Sequence, residues 1–196
     1  MTQVNVFDAG VCSLGEGALW HPTRNQFFWF DINNNALFSQ DEGTRIRWDF
    51  DAHVTAAGWV NDTQLIIAHE TSLLLFNIET RESEKVVDLE AADPITRSND
   101  GRADPWGGFW IGTMGKKLEK DAGAIYRYYR GELRTLFAPW TIPNAQCFSP
   151  QRDFAYLTDT PNGEILKQRL DPKEGWPVGE PEVFITLPES EFRPDG

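Results

Sequence analysis

Short apolar runs recur along the chain, and each is bounded by residues that favour turns. The clearest runs close a ten-residue frame that begins with Pro or Asn and passes through a polar turn. The frame occurs at Pro22–Asp31, Asn61–Glu70, Pro105–Met114 and Pro150–Asp159. Aromatic and β-branched residues that follow turn residues are typical of strands, so each frame predicts a strand.

Two further strand-like segments follow each frame. The first set covers residues 36–38, 73–78, 124–129 and 165–170, and the second covers residues 46–50, 85–89, 133–137 and 182–187. The frames start about 40 to 45 residues apart, which is the size of a four-stranded propeller blade. No convincing amphipathic helix interrupts the pattern. The sequence therefore predicts an all-β fold with about four propeller blades.

Large aromatic residues are concentrated in these strand patterns. Those in strand positions are Trp20, Phe28, Trp29, Trp59, Trp110 and Tyr156. Aromatic side chains contribute most to the packing of cores, so we expect this set to pack between blades rather than to contact a ligand.

Composition narrows the class of partner. The formal net charge of −12 disfavours nucleic acid and anionic membrane surfaces, which attract basic patches. Cys12 and Cys147 form neither a disulfide framework nor a metal-type pair. The first ten residues lack the features of a signal peptide, and no run approaches the roughly 20 apolar residues of a membrane span. We therefore expect a cytoplasmic protein.

Polar residues stand at one phase of the repeat. Six residues before the four frame starts lie Glu16, Thr55, Asn99 and Asn144, and Asp195 is the next polar residue of this kind. Equivalent positions of successive blades surround the central axis of a propeller. The repeat therefore predicts that these five side chains converge.

Two interpretations of this convergence remain open from the residues alone. Glu16, Asn144 and Asp195 are strong oxygen ligands, and Asn99 could add a fourth oxygen, a set that suits Ca²⁺, Mg²⁺ or Mn²⁺. Zn²⁺ would usually recruit His or Cys. Alternatively, short polar residues at strand starts simply form turns and caps.

Other catalytic patterns are missing from the sequence. The three histidines share no spacing that would build a site, and no Gly-x-Ser-x-Gly nucleophile motif is present. Gly15–Gly17 and Gly107–Gly108 are not phosphate loops, because neither a Walker lysine nor a Rossmann helix follows them.

Four segments of the chain resemble the senescence marker protein/gluconolactonase/regucalcin family of six-bladed propellers. They are Leu14–Trp20, the central motif Arg97–Pro105 with Gly112–Met114, Ile142–Ala145 with Phe148–Pro150, and Pro194–Gly196. The central motif is specific, whereas the propeller rhythm alone is not.

The resemblance implies a function and assigns roles. Glu16, Asn144 and Asp195 would ligate one divalent cation, with Ca²⁺ as the first expectation and Zn²⁺, Mn²⁺ and Mg²⁺ as alternatives. Arg97 and Asn99 would contact the substrate, a sugar-acid lactone that is hydrolysed to the open acid. Asp195 is also our candidate general base.

Two departures from the family pattern qualify this picture. Animal members carry a Glu after Gly-Thr-Met, whereas this chain has Gly115, Lys116 and Lys117 there, so we expect Lys117 to bind substrate with a changed preference. The chain is also shorter than a six-bladed propeller. We expect residues 1–196 to form a single propeller domain that is incomplete at its C-terminus, with a small closed propeller as the alternative.

Two other functions fit the same residues. One is a cation-binding or protein-binding propeller without turnover, because a fold does not fix a function. The other is a hydrolase of phosphotriesters that uses the same metal site. Arg97 and Asn99 favour an enzyme, because a pure metal site does not need them.

Overall fold

The computed structural model describes residues 4–188 and 193–195. Within residues 4–188, sixteen strands form four antiparallel sheets, each ordered along the chain as a simple meander. We call these sheets blades 1 to 4. Gly196, the last residue of the Pro-Asp-Gly motif, lies outside the described residues.

The strands of the first two blades have these bounds. Blade 1 contains β1 (Gly15–His21), β2 (Gln26–Asp31), β3 (Ala36–Asp41) and β4 (Thr44–Asp49). Blade 2 contains β5 (Val54–Trp59), β6 (Gln64–His69), β7 (Ser72–Asn77) and β8 (Ser83–Asp88).

The strands of the other two blades follow the same plan. Blade 3 contains β9 (Thr96–Ala103), β10 (Phe109–Gly115), β11 (Gly123–Tyr129) and β12 (Glu132–Trp140). Blade 4 contains β13 (Pro143–Phe148), β14 (Phe154–Asp159), β15 (Glu164–Arg169) and β16 (Glu182–Thr186).

This architecture confirms the predicted all-β propeller with four blades. Each ten-residue frame ends in the second strand of a blade or, for Asn61–Glu70, one residue after it, and the predicted segments that follow form the third and fourth strands. Helical structure among the described residues is restricted to two short 3-10 turns, Ile32–Asn34 and Thr160–Asn162. None of the described helices is long and apolar enough to cross a membrane.

Apolar side chains fill the spaces between neighbouring blades. One cluster joins blades 1 and 2 around Phe28 and Ile67, and a second joins blades 2 and 3 around Leu73 and Phe109. A third cluster joins blades 3 and 4 around Trp110. Because each sheet buries residues from both of its faces, the strands show apolar runs rather than strict alternation.

Two of the aromatic residues do not pack as expected. Phe28 and Trp110 are almost fully buried, but Trp20 is 52% exposed and Trp59 is 43% exposed. Both lie at the ends of first strands, β1 and β5, beyond the interblade clusters, and they line an open pocket of about 690 Å³. The prediction of interblade packing was therefore wrong for Trp20, whereas Trp59 still contacts the His21 ring of blade 1, with ring centroids 5.6 Å apart.

The extent of the domain is a separate question. The prediction that residues 1–196 form a single, incomplete propeller domain stays a prediction. The outer strand β16 leaves Val183, Phe184 and Ile185 between 42% and 55% exposed.

Candidate functional site

The polar heads of the repeat surround one cavity of about 160 Å³. Its lining includes all five of the residues at the shared repeat phase, together with Arg97 and Asp100: Glu16, Thr55, Arg97, Asn99, Asp100, Asn144 and Asp195. The first strands of the four blades supply six of these residues, and Asp195 follows blade 4. The structure therefore brings together the residues that the repeat predicted to converge.

An irregularity in each first strand accompanies this convergence. The pairing register of β1, β5, β9 and β13 shifts close to Glu16, Thr55, Asn99 and Asn144 respectively. A β-bulge opposes two residues to one on the partner strand and re-aims the neighbouring side chains. The repeated bulge thus turns one polar residue per blade towards the common cavity.

Gly17 shows how tightly blade 1 builds its bulge. Its φ is +63°, in the left-handed region, and an added Cβ would lie 2.4 Å from the Thr55 carbonyl oxygen and 2.6 Å from the Phe30 ring. Only glycine tolerates both conditions without displacing a neighbour. In blade 4, Ala145 follows Asn144 with a φ of 56°, so the backbone reverses in the same way without a glycine.

Two aspartates fix the chain just before Glu16 and Asn144. Asp31 accepts hydrogen bonds from the amides of Ser13 (2.9 Å) and Leu14 (3.1 Å). Asp159 occupies the same repeat position and accepts bonds from the amides of Thr141 (3.1 Å) and Ile142 (2.7 Å). These bonds set the entry of each first strand two residues before the cavity.

A chain of hydrogen bonds links the amide side chains of the cavity. Arg97 Nη1 donates to Asn99 Oδ1 (3.1 Å), and Asn99 Nδ2 donates to Asn144 Oδ1 (2.8 Å). Asn144 Nδ2 then donates to Thr160 Oγ1 (2.9 Å), whose hydroxyl donates to the carbonyl of Pro194 (2.9 Å). The network connects blade 3 to the residue that precedes Asp195.

Carboxylates give the cavity its electrostatic character. Burial raises the pKa of Glu16, and the nearby Asp195 and Asp100 raise it further, whereas Arg97 lowers it. Burial also raises the pKa of Asp100, with a smaller contribution from Asp195. Three carboxylates thus share the space with one guanidinium, and such an excess of negative charge favours a bound cation.

The oxygen donors of the cavity fit a hard cation with one qualification. Glu16 and Asp195 offer carboxylate oxygens, and Asn144 Oδ1 keeps a second lone pair beside its bond from Asn99. Among the described residues, no group of three or more His, Cys, Asp or Glu side chains is arranged to hold a metal. A cation here would therefore depend on the amide of Asn144 and on water as well as on carboxylates.

The other predicted residues are placed differently. Thr55 is 1% exposed, and its hydroxyl donates to Ser98 Oγ (3.0 Å). The side chain therefore forms a hydrogen bond from blade 2 to blade 3. Lys117 is exposed, and its neighbour Leu118 is the residue of that loop that lines the cavity. Its role in substrate binding stays a prediction.

The sequence placed Asp100 in the polar head of the central motif, with Arg97 and Asn99, but assigned no role to Asp100 or to Glu70. Asp100 follows Asn99 in the central motif and lines the cavity beside it. Glu70 closes the second ten-residue frame, where the frames of blades 1 and 4 carry Asp31 and Asp159. An acidic residue at the last position of three of the four frames was the sequence signal that could have pointed to Glu70.

Comparison with known proteins places this architecture among relatives. Residues 14–196 match the sequence profile of the SMP-30/gluconolactonase/LRE-like region. A Rhizobium meliloti protein named as a candidate sugar lactone lactonase is 33% identical over 93% of this chain and 62% of its own. A pentonolactonase of Haloferax volcanii is 30% identical over the whole chain and 66% of its own.

A solved structure supports the same relationship. The crystal structure of a calcium-binding protein, regucalcin from Agrobacterium tumefaciens, superposes with a TM-score of 0.92 and 34% sequence identity. The superposition covers 95% of this chain and 64% of that chain. The chain thus spans slightly less than two thirds of the length of such relatives, and it belongs to the SMP-30/gluconolactonase/LRE-like family.

Proposed function

We propose that this protein hydrolyses sugar-acid lactones with the help of one divalent cation. The observation that carries the proposal is the cavity in which Glu16, Asn144 and Asp195 meet Arg97 and Asn99. A cation site alone needs oxygen donors, whereas a guanidinium with fixed hydrogen-bond donors suits a polar substrate. The names of the lactonase relatives support the same choice.

In this proposal Glu16, Asn144 and Asp195 hold the cation, with Ca²⁺ as the first candidate. When bound, a divalent cation would polarise the lactone carbonyl and stabilise the negative charge that develops on its oxygen. Burial raises the pKa of Glu16 most, and repulsion from Asp195 and Asp100 raises it further; a bound cation would relieve that repulsion between carboxylates.

Side chains of the protein supply the remaining functions. Asp195 acts as the general base that takes a proton from the attacking water. Arg97 donates to ring hydroxyls or to the carbonyl oxygen, whereas Asn99 accepts from a ring hydroxyl, because its two amide hydrogens are donated to Pro143 and Asn144. The hydrogen bond of 3.1 Å between Arg97 and Asn99 fixes the orientation of both groups. Water attacks the carbonyl carbon, the ring C–O bond breaks, and the proton taken from water is returned to the leaving ring oxygen, so the product is the open aldonic acid.

The substrate class follows from the polar character of the cavity. A lining of carboxylates, amides and a guanidinium favours a polyhydroxylated ring over an apolar ester, because hydroxyl groups both donate and accept hydrogen bonds. We infer a pentono- or hexonolactone as the substrate. Lys117 would add a cation at the rim that favours neutral or anionic rings.

The experiment is a hydrolysis panel with and without chelator. Proton release would be followed for D-glucono-1,5-lactone, a pentonolactone, unsubstituted δ-valerolactone and a phosphotriester, on the metal-loaded and the chelated protein. Turnover of sugar lactones that depends on added cation is the expected result. Turnover of the phosphotriester alone would favour the other hydrolase, and cation binding without turnover would favour a binding protein.

Two variants connect the activity to the cavity. Glu16→Ala and Asp195→Ala should each abolish cation binding, measured by calorimetry, together with lactone hydrolysis. Glu174→Gln is the matched control, since this exposed carboxylate pairs with Arg130 and does not line the cavity. Full lactonase activity in metal-free Glu16→Ala protein would contradict the mechanism.

A further inference from the structure

A second charged group borders the candidate site on the blade 2 side. Glu70 lies in the turn between β6 and β7, and its carboxylate contacts His53 Nδ1 through one oxygen and Lys116 Nζ through the other. The three side chains come from two blades, since Lys116 follows β10. Their side chains remain 18% to 32% exposed, so the cluster is accessible to solvent.

Backbone contacts hold this cluster beside Arg97. The amide of Ser98 donates to the carbonyl oxygen of Glu70 (3.2 Å), which joins the blade 2 turn to the residue after Arg97. Met114 is paired with Arg97 across the sheet, and the amide of Lys116 donates to the carbonyl of Ile95 (2.8 Å). Glu70 therefore approaches the Arg97 strand from blade 2, and Lys116 approaches it from the end of β10 in blade 3.

The charges around Arg97 agree with this placement. Burial lowers the pKa of Arg97, and Glu70 and Glu16 act against that lowering. The charge of the guanidinium thus interacts with a carboxylate of the candidate cation site and with Glu70, whose carbonyl oxygen accepts from the amide of Ser98 next to Arg97. Glu70 itself is not among the residues that line the 160 Å³ cavity, and its backbone is joined to the site through Ser98, the neighbour of Arg97.

Glu70 retains hydrogen-bonding capacity for a ligand. A carboxylate offers about four lone-pair positions, and the contacts with His53 and Lys116 use two of them. A hydroxyl group that donates to a carboxylate can accept from a neighbouring guanidinium at the same time. A carboxylate beside an arginine is therefore a suitable site for one sugar hydroxyl.

We propose that Glu70 is a specificity-determining residue whose carboxylate, together with Arg97, binds a hydroxyl group of a polyhydroxylated lactone remote from the reacting carbonyl. This inference rests on the proposed lactonase function and adds a contact to it. Lys116 and His53 orient the carboxylate. Because an unsubstituted lactone has no hydroxyl to place there, the contact separates sugar lactones from simple cyclic esters.

The test compares two substrates on one variant. Glu70→Gln keeps the shape of the side chain and removes its charge. The ratio of kcat/KM for D-glucono-1,5-lactone to that for δ-valerolactone should fall roughly tenfold to hundredfold, the value of a hydrogen bond to a charged group. An unchanged ratio would overturn the proposal, and Glu70→Asp replaces the variant if Glu70→Gln does not fold.

A second variant separates direct contact from an indirect role. Lys116→Met removes the lysine that orients Glu70 but leaves the carboxylate, so the ratio should change less than threefold. If Lys116→Met lowers the ratio as much as Glu70→Gln does, Glu70 acts only by holding the lysine and the proposal fails. Glu174→Gln again serves as the control for a distant carboxylate.

A binding measurement distinguishes this inference from the proposed function. Ribitol, which has hydroxyls but no lactone bond, would be titrated into the Ca²⁺-loaded protein by ligand-observed NMR. Weaker ribitol binding in Glu70→Gln, with no lactone hydrolysis by the wild type, would support the hydroxyl site and refute the lactonase. Lactone hydrolysis with ribitol binding independent of Glu70 would refute the hydroxyl site alone.

Discussion

Replacement of Gly17 by alanine tests whether the bulge in β1 depends on glycine. Two costs arise from the same methyl group. A non-glycine residue in the left-handed region costs about 1–2 kcal/mol. The new Cβ would also lie 2.4 Å from the Thr55 carbonyl oxygen, which is backbone and cannot rotate away. Overpacking of this kind typically adds about 1–3 kcal/mol.

A matched control isolates the second cost. Gly131 has a φ of +85°, and nothing lies within 4 Å of the position that a Cβ would take. Gly131→Ala should therefore lose only the conformational cost of about 1–2 kcal/mol in stability, whereas the unfolding free energy of Gly17→Ala should fall by about 2–5 kcal/mol in total. For a chain of this size the Tm of Gly17→Ala should fall by roughly 5–15 °C.

The assay is thermal and urea unfolding of both variants beside the wild type. Gly17→Ala should be less stable than Gly131→Ala by about 1–3 kcal/mol. Calorimetric titration with Ca²⁺ should also show weaker binding in Gly17→Ala only, because Glu16 precedes the displaced residue. Equal loss of stability in the two variants would refute the crowding argument, whatever happens to cation binding.

Three further predictions follow from the contacts around the cavity. Burial alone would raise the pKa of Asp31, but hydrogen bonds from Asn34, Ser13 and Leu14 outweigh it and lower the pKa. The carboxylate therefore stabilises the fold above its unfolded-state pKa of about 3.9, and this contribution is lost as the pH falls through the lower folded-state value. Asp31→Asn should lower the free energy of unfolding by about 1–3 kcal/mol at pH 7 and by progressively less in acid. If the difference in unfolding free energy between variant and wild type is constant from pH 7 to pH 3, this reasoning is contradicted. Thr160→Val keeps the side-chain shape but removes the hydroxyl that joins Asn144 to the Pro194 carbonyl. The affinity for Ca²⁺, measured by calorimetry, should fall roughly tenfold. An unchanged affinity would show that these hydrogen bonds do not orient Asn144. Lys117→Ala should raise KM for a sugar lactone and not for δ-valerolactone. Lys120→Ala, at another exposed lysine, is the control. If the two variants behave alike, Lys117 does not bind substrate.

The repeat explains why so much of the fold could be predicted from the sequence. Turn residues and apolar runs are local signals, and four copies at one spacing reinforce one another. The position of Glu16, Asn99 and Asn144 at one phase then placed them around a common axis. No knowledge of the packing was needed for that step, because equivalent positions in a propeller are equidistant from the axis.

Features that depend on contacts between blades were not predictable in the same way. Trp20 and Trp59 continue the strand pattern of their neighbours, but they lie outside the interblade clusters and remain 52% and 43% exposed. The contacts of Glu70 join residues 17 and 46 positions away, His53 and Lys116. Such contacts are set by how two turns approach each other, and the sequence carries no local signal for them.

The bulges show why the site could be located while its construction could not. A strand whose pairing slips by one residue moves all of its side chains to the opposite face. A bulge confines that reversal to one position of the strand. The residue at the bulge faces the cavity, and the residues that follow it keep their places in the interblade clusters. Gly17 hints at such a point, but Ala145 makes the equivalent turn with an ordinary side chain. Pairing with the second strand places the bulge in each blade, and the polar residue that faces the cavity there can vary, which is why four different side chains, Glu16, Thr55, Asn99 and Asn144, occupy one structural position.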